Sequence, residues 1–232
     1  MIMRSLLLAA ATLAVVLGGI AEARADTIRI PGDQGNSYTV PVTSLREARF
    51  RTTIRQQYDF SCGSAAVATL LTFQYGFPVN EETVFANMYV NGDQAKIRSE
   101  GFSLLDMKRF LESRGFLADG YELPLSKLEE AQIPAIVLIV ENGYHHFVVI
   151  KGIKGDRVLI GDPARGTRSI ERDHFEKIWD SQLLFVIHNR TDRARFNLAA
   201  DWRVAPSGPY WMGVPRDSLF FTVMPKHGPA DF

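Results

Sequence analysis

The chain has a single cysteine in 232 residues, Cys62, and so forms no disulfide within itself. It has no surplus charge: 26 Lys and Arg balance 26 Asp and Glu. That balance lacks the electrostatic footprint of a nucleic-acid-binding protein or of one held on an anionic membrane. There is no C-x-x-C or H-x-x-x-H spacing, so no metal site is expected. There is no Gly-rich phosphate loop, so no nucleotide is expected either, and no cofactor of any kind is predicted. Repeats and low-complexity tracts are absent. Past residue 25, no apolar stretch reaches the roughly 20 residues that a membrane-spanning helix needs.

The one long apolar run is at the start. Arg4 precedes Leu6–Ile20, and Ala23-Arg24-Ala25 follows as an A-x-A site. This layout predicts a signal peptide over residues 1–25, cleaved after Ala25, and hence a periplasmic or secreted protein. An uncleaved anchor is the alternative reading, but the run is short for a span. What remains has the size of one domain.

Export makes the lone thiol informative, because a structural cysteine outside the cytosol usually has a disulfide partner. Cys62 lies in Arg55-Gln56-Gln57-Tyr58-Asp59-Phe60-Ser61-Cys62-Gly63-Ser64-Ala65-Ala66. It stands just before an Ala-rich apolar stretch that reads as a helix, and the positive end of a helix favours a thiolate. By itself a lone cysteine is more often a small buried hydrophobe.

The surrounding pattern predicts an α+β arrangement. Thr27–Pro31 and Tyr38–Val42 alternate as short, proline-limited edge strands. A helix is expected from Cys62 to Tyr75, capped by Ser61 or Asp59 and stopped at Gly76. Further helices are expected over Asn80–Val90, from Ser103 to Arg114, and over Pro124–Ala131. Strand-type runs follow at Ala135–Val140, His146–Ile153, Arg157–Asp162, Thr167–Glu171 and Leu183–Ile187, with a helical turn at His174–Trp179. Residues 190–232 form a charged and then proline-rich tail of unassigned structure, with Trp202, Tyr210, Trp211, Phe220 and Phe221 as candidates to pack on the core or dock a partner.

A cysteine nucleophile needs a base, and the base needs a group that fixes its tautomer. The histidines are His145, His146, His174, His188 and His227. His146 opens one predicted strand and Asp162 ends the next, and an antiparallel hairpin places those two ends side by side. His145 points to the opposite face. Asp162 before Pro163 also reads simply as a turn starter.

These residues resemble the peptidase C39 family, the papain-like cysteine peptidases known for removing double-glycine leaders. The family pattern is a glutamine six residues before a Cys-Gly pair that opens a helix, then a His-Phe-x-Val strand and an Asp-Pro-x-x-Gly turn. Gln56, Cys62-Gly63, His146-Phe147-Val148-Val149 and Asp162-Pro163-Ala164-Arg165-Gly166 match it in order. Gln57 is off by one. The resemblance spans about Arg55 to Ile187 and implies a papain-like fold, N-terminal helices packed on a mainly antiparallel sheet, in a domain of residues 26–189. It implies Cys62 as nucleophile, His146 as base, Asp162 as its orienter and Gln56 as oxyanion donor. The implied partner is a peptide or unfolded protein segment. The commonest members carry attached transporter and ATPase domains, which this sequence lacks. An exported relative meets its substrate after translocation, and such relatives resemble peptidases that accompany secretion or functional-amyloid systems. Two other readings share the pattern: a non-catalytic module that recruits a secreted substrate, and a papain-like cell-wall amidase.

Overall fold

The computed structural model describes residues 27–31, 37–179 and 181–204. The predicted signal segment, and Tyr210, Trp211, Phe220, Phe221 and His227 of the tail, lie outside the described residues. The chain divides into two units, Met1–Ser44 and Leu45–Phe232. In the first, β1 (Thr27–Pro31) pairs antiparallel with β2 (Ser37–Pro41), Ile28 opposite Val40. Both short alternating runs are thus strands.

The second unit opens with α1 (Leu45–Arg49) and a loop that leads to α2 (Cys62–Thr69). All eight residues of α2 are buried. The helix continues as a π-turn over Leu70–Gln74, and Gly76 follows with φ +65°, the left-handed stop that its glycine predicts. Gly63 lets α2 pack close: a Cβ there would lie 2.8 Å from Met107 Cε and 3.1 Å from Phe102 Cβ.

The expected cap of α2 is not made. Ser61 occupies the N-cap position, but its hydroxyl accepts from Tyr58 N at 3.1 Å and lies 3.0 Å from Tyr58 O. It stabilises the loop and leaves the first turn of the helix without a side-chain cap. The next helices are capped normally. Asn80 accepts from Thr83 N at 2.9 Å ahead of α3 (Glu81–Asn91). Asp93 caps α4 (Gln94–Glu100), which the sequence reading does not include because so short a segment has almost no apolar periodicity. Ser103 and Asp106 form a capping box for α5 (Leu104–Ser113).

The remaining elements are β3 (Ala118–Glu122), α6 (Leu125–Ala131), β4 (Ala135–Glu141), β5 (Tyr144–Lys154), β6 (Arg157–Asp162), β7 (Gly166–Glu171), α7 (Arg172–Ile178) and β8 (Leu183–Ile187). They form a six-stranded sheet of order β3-β8-β4-β5-β6-β7 in which every pairing is antiparallel. The α+β fold is therefore as expected. The strand β3 is an addition: Ala-Asp-Gly-Tyr-Glu has weak strand character and is held extended by its pairing with β8.

Each face of the sheet has its own core. Val67, Leu71, Met107 and Phe110 of the helices meet Phe147 and Val149 on one side. Val148, Ile150 and Ile160 meet Leu125 and Leu128 of α6 and Phe175 of α7 on the other. This alternation along β5 follows from the period of two. Burying each of these side chains contributes about 1.5–3 kcal/mol.

The first part of the tail also packs on this unit. A 3-10 turn (Thr191–Arg193) leads to α8 (Ala199–Arg203). On the way Arg195 N donates to Gln74 O at 2.8 Å, and Asn197 N donates to Lys151 O at 2.9 Å. Lys151 sits at a bulge in β5. Its fully buried ammonium donates to Thr52 O and Thr52 Oγ1, both at 2.8 Å, and lies 3.0 Å from Asp201 Oδ2.

Candidate active site

Three elements converge on one point: the N-terminus of α2, the open end of β5 and the turn after β6. The open end of β5 is set by the β4–β5 turn, in which Asn142 and Gly143 take φ of 52° and 78°. Positive φ at both central residues is the geometry of a tight hairpin turn. Across the next hairpin Val149 pairs with Gly161, which brings the neighbouring Asp162 towards His146. His146 Nε2 lies 2.8 Å from Asp162 Oδ1. His146 is 6% and Asp162 1% exposed, so water does not loosen the pair. His145, one residue earlier, is exposed, as alternation requires.

The Asp162 carboxylate is saturated. Its Oδ1 also accepts from Ala164 N at 2.9 Å and Arg165 N at 3.2 Å, and its Oδ2 from Arg168 Nε at 3.0 Å. Both readings of Asp162 thus hold at once, since it starts the turn and partners the histidine. Gly166 closes this turn with φ +79°, and a Cβ there would lie 2.7 Å from Arg49 Cβ and 2.9 Å from Arg49 C and O.

The other ring nitrogen of His146, Nδ1, is buried and has no hydrogen-bond partner among the described residues. The buried Cys62 thiol adjoins the ring and acts on it without completing a bond to Nδ1. Burial by itself lowers the His146 pKa, but the hydrogen bond to Asp162, the contact with Cys62 and the charges of both raise it to about 9. For Asp162, burial pushes the pKa up, and His146, Arg168 and the Ala164 amide together bring it down to about 2. The ring is thus cationic at neutral pH and the carboxylate anionic. The cationic imidazole thus stands beside a thiol at a helix N-terminus that has no side-chain cap.

Gln56 lies on the loop before α2, and its backbone N donates to Pro163 O at 3.1 Å, tying this loop to the Asp162 turn. Its side-chain Nε2 donates to Tyr58 O at 3.0 Å and, more weakly, to Asp59 O at 3.4 Å. Its Oε1 is buried with no hydrogen-bond partner among the described residues. The remaining histidines lie elsewhere: His174 is exposed on α7, and His188 pairs with Asp119 at 3.0 Å. Among the described residues, no cluster of three metal-ligating side chains exists.

Three site residues escape the sequence reading. Tyr144 donates to Asp59 O at 2.7 Å, and its ring centroid lies 5.8 Å from that of His146, so it bridges the Cys62 loop and the His146 strand. Arg168 and Glu141 complete the surroundings of Asp162, with Arg168 Nη2 3.1 Å from each Glu141 oxygen. Tyr144 was legible in principle from its place two residues before the histidine on the same face. Arg168 and Glu141 carry no local signal.

The arrangement is a buried thiol beside a cationic imidazole, with a carboxylate fixing the far side of the ring. It suits nucleophilic attack on a carbonyl followed by proton donation to the leaving group. The model of the Peptidase C39 family matches residues 51–191. The "Probable functional amyloid protease FapD" of Pseudomonas aeruginosa is 44% identical over 152 residues, 66% of this chain and 67% of that protein. The lactococcin-G-processing and transport ATP-binding protein LagD of Lactococcus lactis is 32% identical over 135 residues, 57% of this chain and 18% of that protein. Among solved structures, a double glycine motif protease from an AMS/PCAT transporter, in complex with the leader peptide, is 26% identical with a TM-score of 0.48, covering 58% of this chain and 88% of that chain. With the family's pattern matched over most of the helical and sheet core, the chain belongs to the Peptidase C39 family and is a cysteine-type peptidase.

Proposed function

We propose that Cys62 is the nucleophile of this peptidase, His146 its general base and acid, and Asp162 the group that orients His146. The observation that carries this is the division of the histidine ring, with Nε2 bonded to a saturated carboxylate and Nδ1, beside the thiol, without a hydrogen-bond partner among the described residues. The Cys62 thiolate attacks the scissile carbonyl and forms a C–S bond. The electron pair of the C=O moves onto oxygen. The imidazolium then donates its proton to the departing amine as the C–N bond breaks. Water, deprotonated by His146, cleaves the resulting thioester and restores the thiolate.

The oxyanion is held by the backbone N–H of Cys62, on a helix turn without a side-chain cap, and by Gln56. The weaker of the two Gln56 contacts, to Asp59 O, is the one the oxyanion displaces, and Asp59 O keeps its bond from Tyr144. Loss of one such donor costs about 2.7–4 kcal/mol of transition-state stabilisation.

The substrate in this proposal is a peptide or unfolded protein segment met after export. Residues 1–25 serve as a cleaved signal peptide, residues 26–189 as the peptidase domain and residues 190–232 as its C-terminal extension. The named relative FapD points to a functional-amyloid secretion system as the setting. Mass spectrometry of periplasm and medium from cells carrying wild-type or Cys62→Ala protein tests this. Expected are one or a few exported proteins that stay uncleaved with Cys62→Ala. Identical protein masses in the two strains would reject it.

A further inference from the structure

Asp162 has four donors, and three of them are fixed by local covalent geometry or by the mechanism: the Ala164 and Arg165 amides of its own turn, and His146. All three bind Oδ1. Oδ2 has one donor, Arg168 Nε at 3.0 Å. Arg168 comes from the neighbouring strand β7, opposite Ile160, and is itself clamped: its Nη2 lies 3.1 Å from both oxygens of Glu141 at the end of β4. Glu141 takes a second cation, Arg165 Nη1, at 2.6 Å. A carboxylate held through one oxygen turns about its last side-chain torsion, which is broad. A second, charge-assisted bond to the other oxygen stops that rotation.

We infer that Arg168, held in place by Glu141, is a positioning residue that keeps the Asp162 carboxylate aimed at His146. This rests on the reading of Asp162 as the orienter of His146. Without Arg168, Oδ2 is a buried oxygen lacking its donor, and the carboxylate rotates to find another. The ring then loses its anchor.

The charged and titratable groups facing the His146–Asp162 pair are Cys62 on α2, Tyr144 on β5, Arg165 in the turn, Arg168 on β7 and, through the arginines, Glu141 on β4. Their effects separate by sign. Removing the Arg168 cation by charge alone leaves the imidazolium as stable as before or more so. Losing the aim of Asp162 makes it less stable.

The single cysteine makes alkylation a clean probe, since label can enter only at Cys62. The rate of iodoacetate reaction is measured from pH 5 to 10 by intact mass. This anionic reagent is drawn by the imidazolium, so its rate falls as His146 loses its proton, near pH 9 in the wild type. Arg168→Gln moves this fall towards 6.5, the ordinary value for histidine, and lowers the rate at pH 8 roughly tenfold, as loss of a bond to a charged group implies. In an Asp162→Ala background the same change has no further effect. Glu141→Gln, which touches neither Asp162 nor His146, shifts the fall in the same direction by less and serves if Asp162→Ala does not fold. An unshifted or upward-shifted profile for Arg168→Gln overturns the inference, as does an equal shift with and without Asp162. If Asp162→Ala itself leaves the profile unchanged while Cys62 still labels, the orienting role of Asp162 fails first and the inference falls with it.

Discussion

Strand β5 carries two buried ion pairs five residues apart, His146–Asp162 and Lys151–Asp201, and they do different work. The lysine pair is closed around its cation. Its ammonium has Thr52 O, Thr52 Oγ1 and Asp201 as partners, and Thr52 Oγ1 donates in turn to Asp201 Oδ1. The histidine pair is closed on the carboxylate side and open on the other, where Nδ1 has no hydrogen-bond partner among the described residues and adjoins a thiol. A buried ammonium held by three partners ties chain segments together, here the loop at Thr52 and the segment carrying α8. A ring nitrogen without a partner beside a thiol keeps a proton available for chemistry.

Their titrations also run in opposite directions. For Lys151, burial outweighs Asp201 and lowers the pKa to about 8, against 10.5 in an ordinary lysine. For His146, the partners win and raise it to about 9, against 6.5. The unfolded chain therefore binds more protons at Lys151 between pH 8 and 10.5, and stability from that site rises with pH there. The native chain binds more at His146 between 6.5 and 9. The stability His146 supplies is full below 6.5 and is lost as pH rises through 9.

The largest effect expected is from Cys62→Ala, which removes hydrolysis of the substrate altogether while the circular dichroism spectrum stays that of the wild type. Hydrolysis equal to wild type would place the nucleophile elsewhere. Next comes Lys151→Met, which leaves Asp201 as a buried charge without its cation and lowers stability by about 3–5 kcal/mol in urea unfolding. The Cys62 alkylation profile of the folded fraction stays unchanged. Lys151→Met combined with Asp201→Leu recovers much of the lost stability, because an apolar pair of similar volume replaces an ion pair. A Lys151→Met protein as stable as wild type would mean that the pair contributes nothing to holding α8.

His146→Ala reverses the pattern. Asp162 keeps Arg168 and two amides, so stability falls by at most about 1–3 kcal/mol, whereas iodoacetate labelling of Cys62 at neutral pH slows sharply. Equal labelling rates in the two proteins would remove the ion pair from the mechanism. Asp162→Asn gives a smaller loss, since the base survives with a neutral partner, and its hydrolysis fails at lower pH than the limb near 9 expected of the wild type. Stability carries its own signature of the pair: in His146→Ala, the decline between pH 6.5 and 9 that His146 contributes is absent from a series of urea midpoints.

Much of this was legible in the chain. The helix at Cys62, the hairpins of β4 to β7 and the meeting of His146 with Asp162 follow from local patterning, because periods of 3.6 and 2 and a tight turn already decide which ends are neighbours. The short elements α4 and β3 were not, since five to seven residues hold too little periodicity and tertiary partners fix them. The cap expected of Ser61 fails because a hydroxyl near a helix start has two uses, and here the Tyr58 turn takes it.

Lys151 shows the limit most clearly. In sequence it is one charged residue inside the run Phe147–Ile153, a place where a lysine would be expected to face water. The bulge at this position instead turns it into the interior, and its counter-ion comes from Asp201, fifty residues later in a segment with no readable pattern of its own. Spacing along one stretch of chain was enough for the family, the helix at Cys62 and the order of the candidate site residues. Which charges meet inside depends on packing. Partners such as Arg168 with Asp162, Glu141 with Arg168 and Asp201 with Lys151 come from separate strands and segments, and only packing brings them within 3.1 Å of each other.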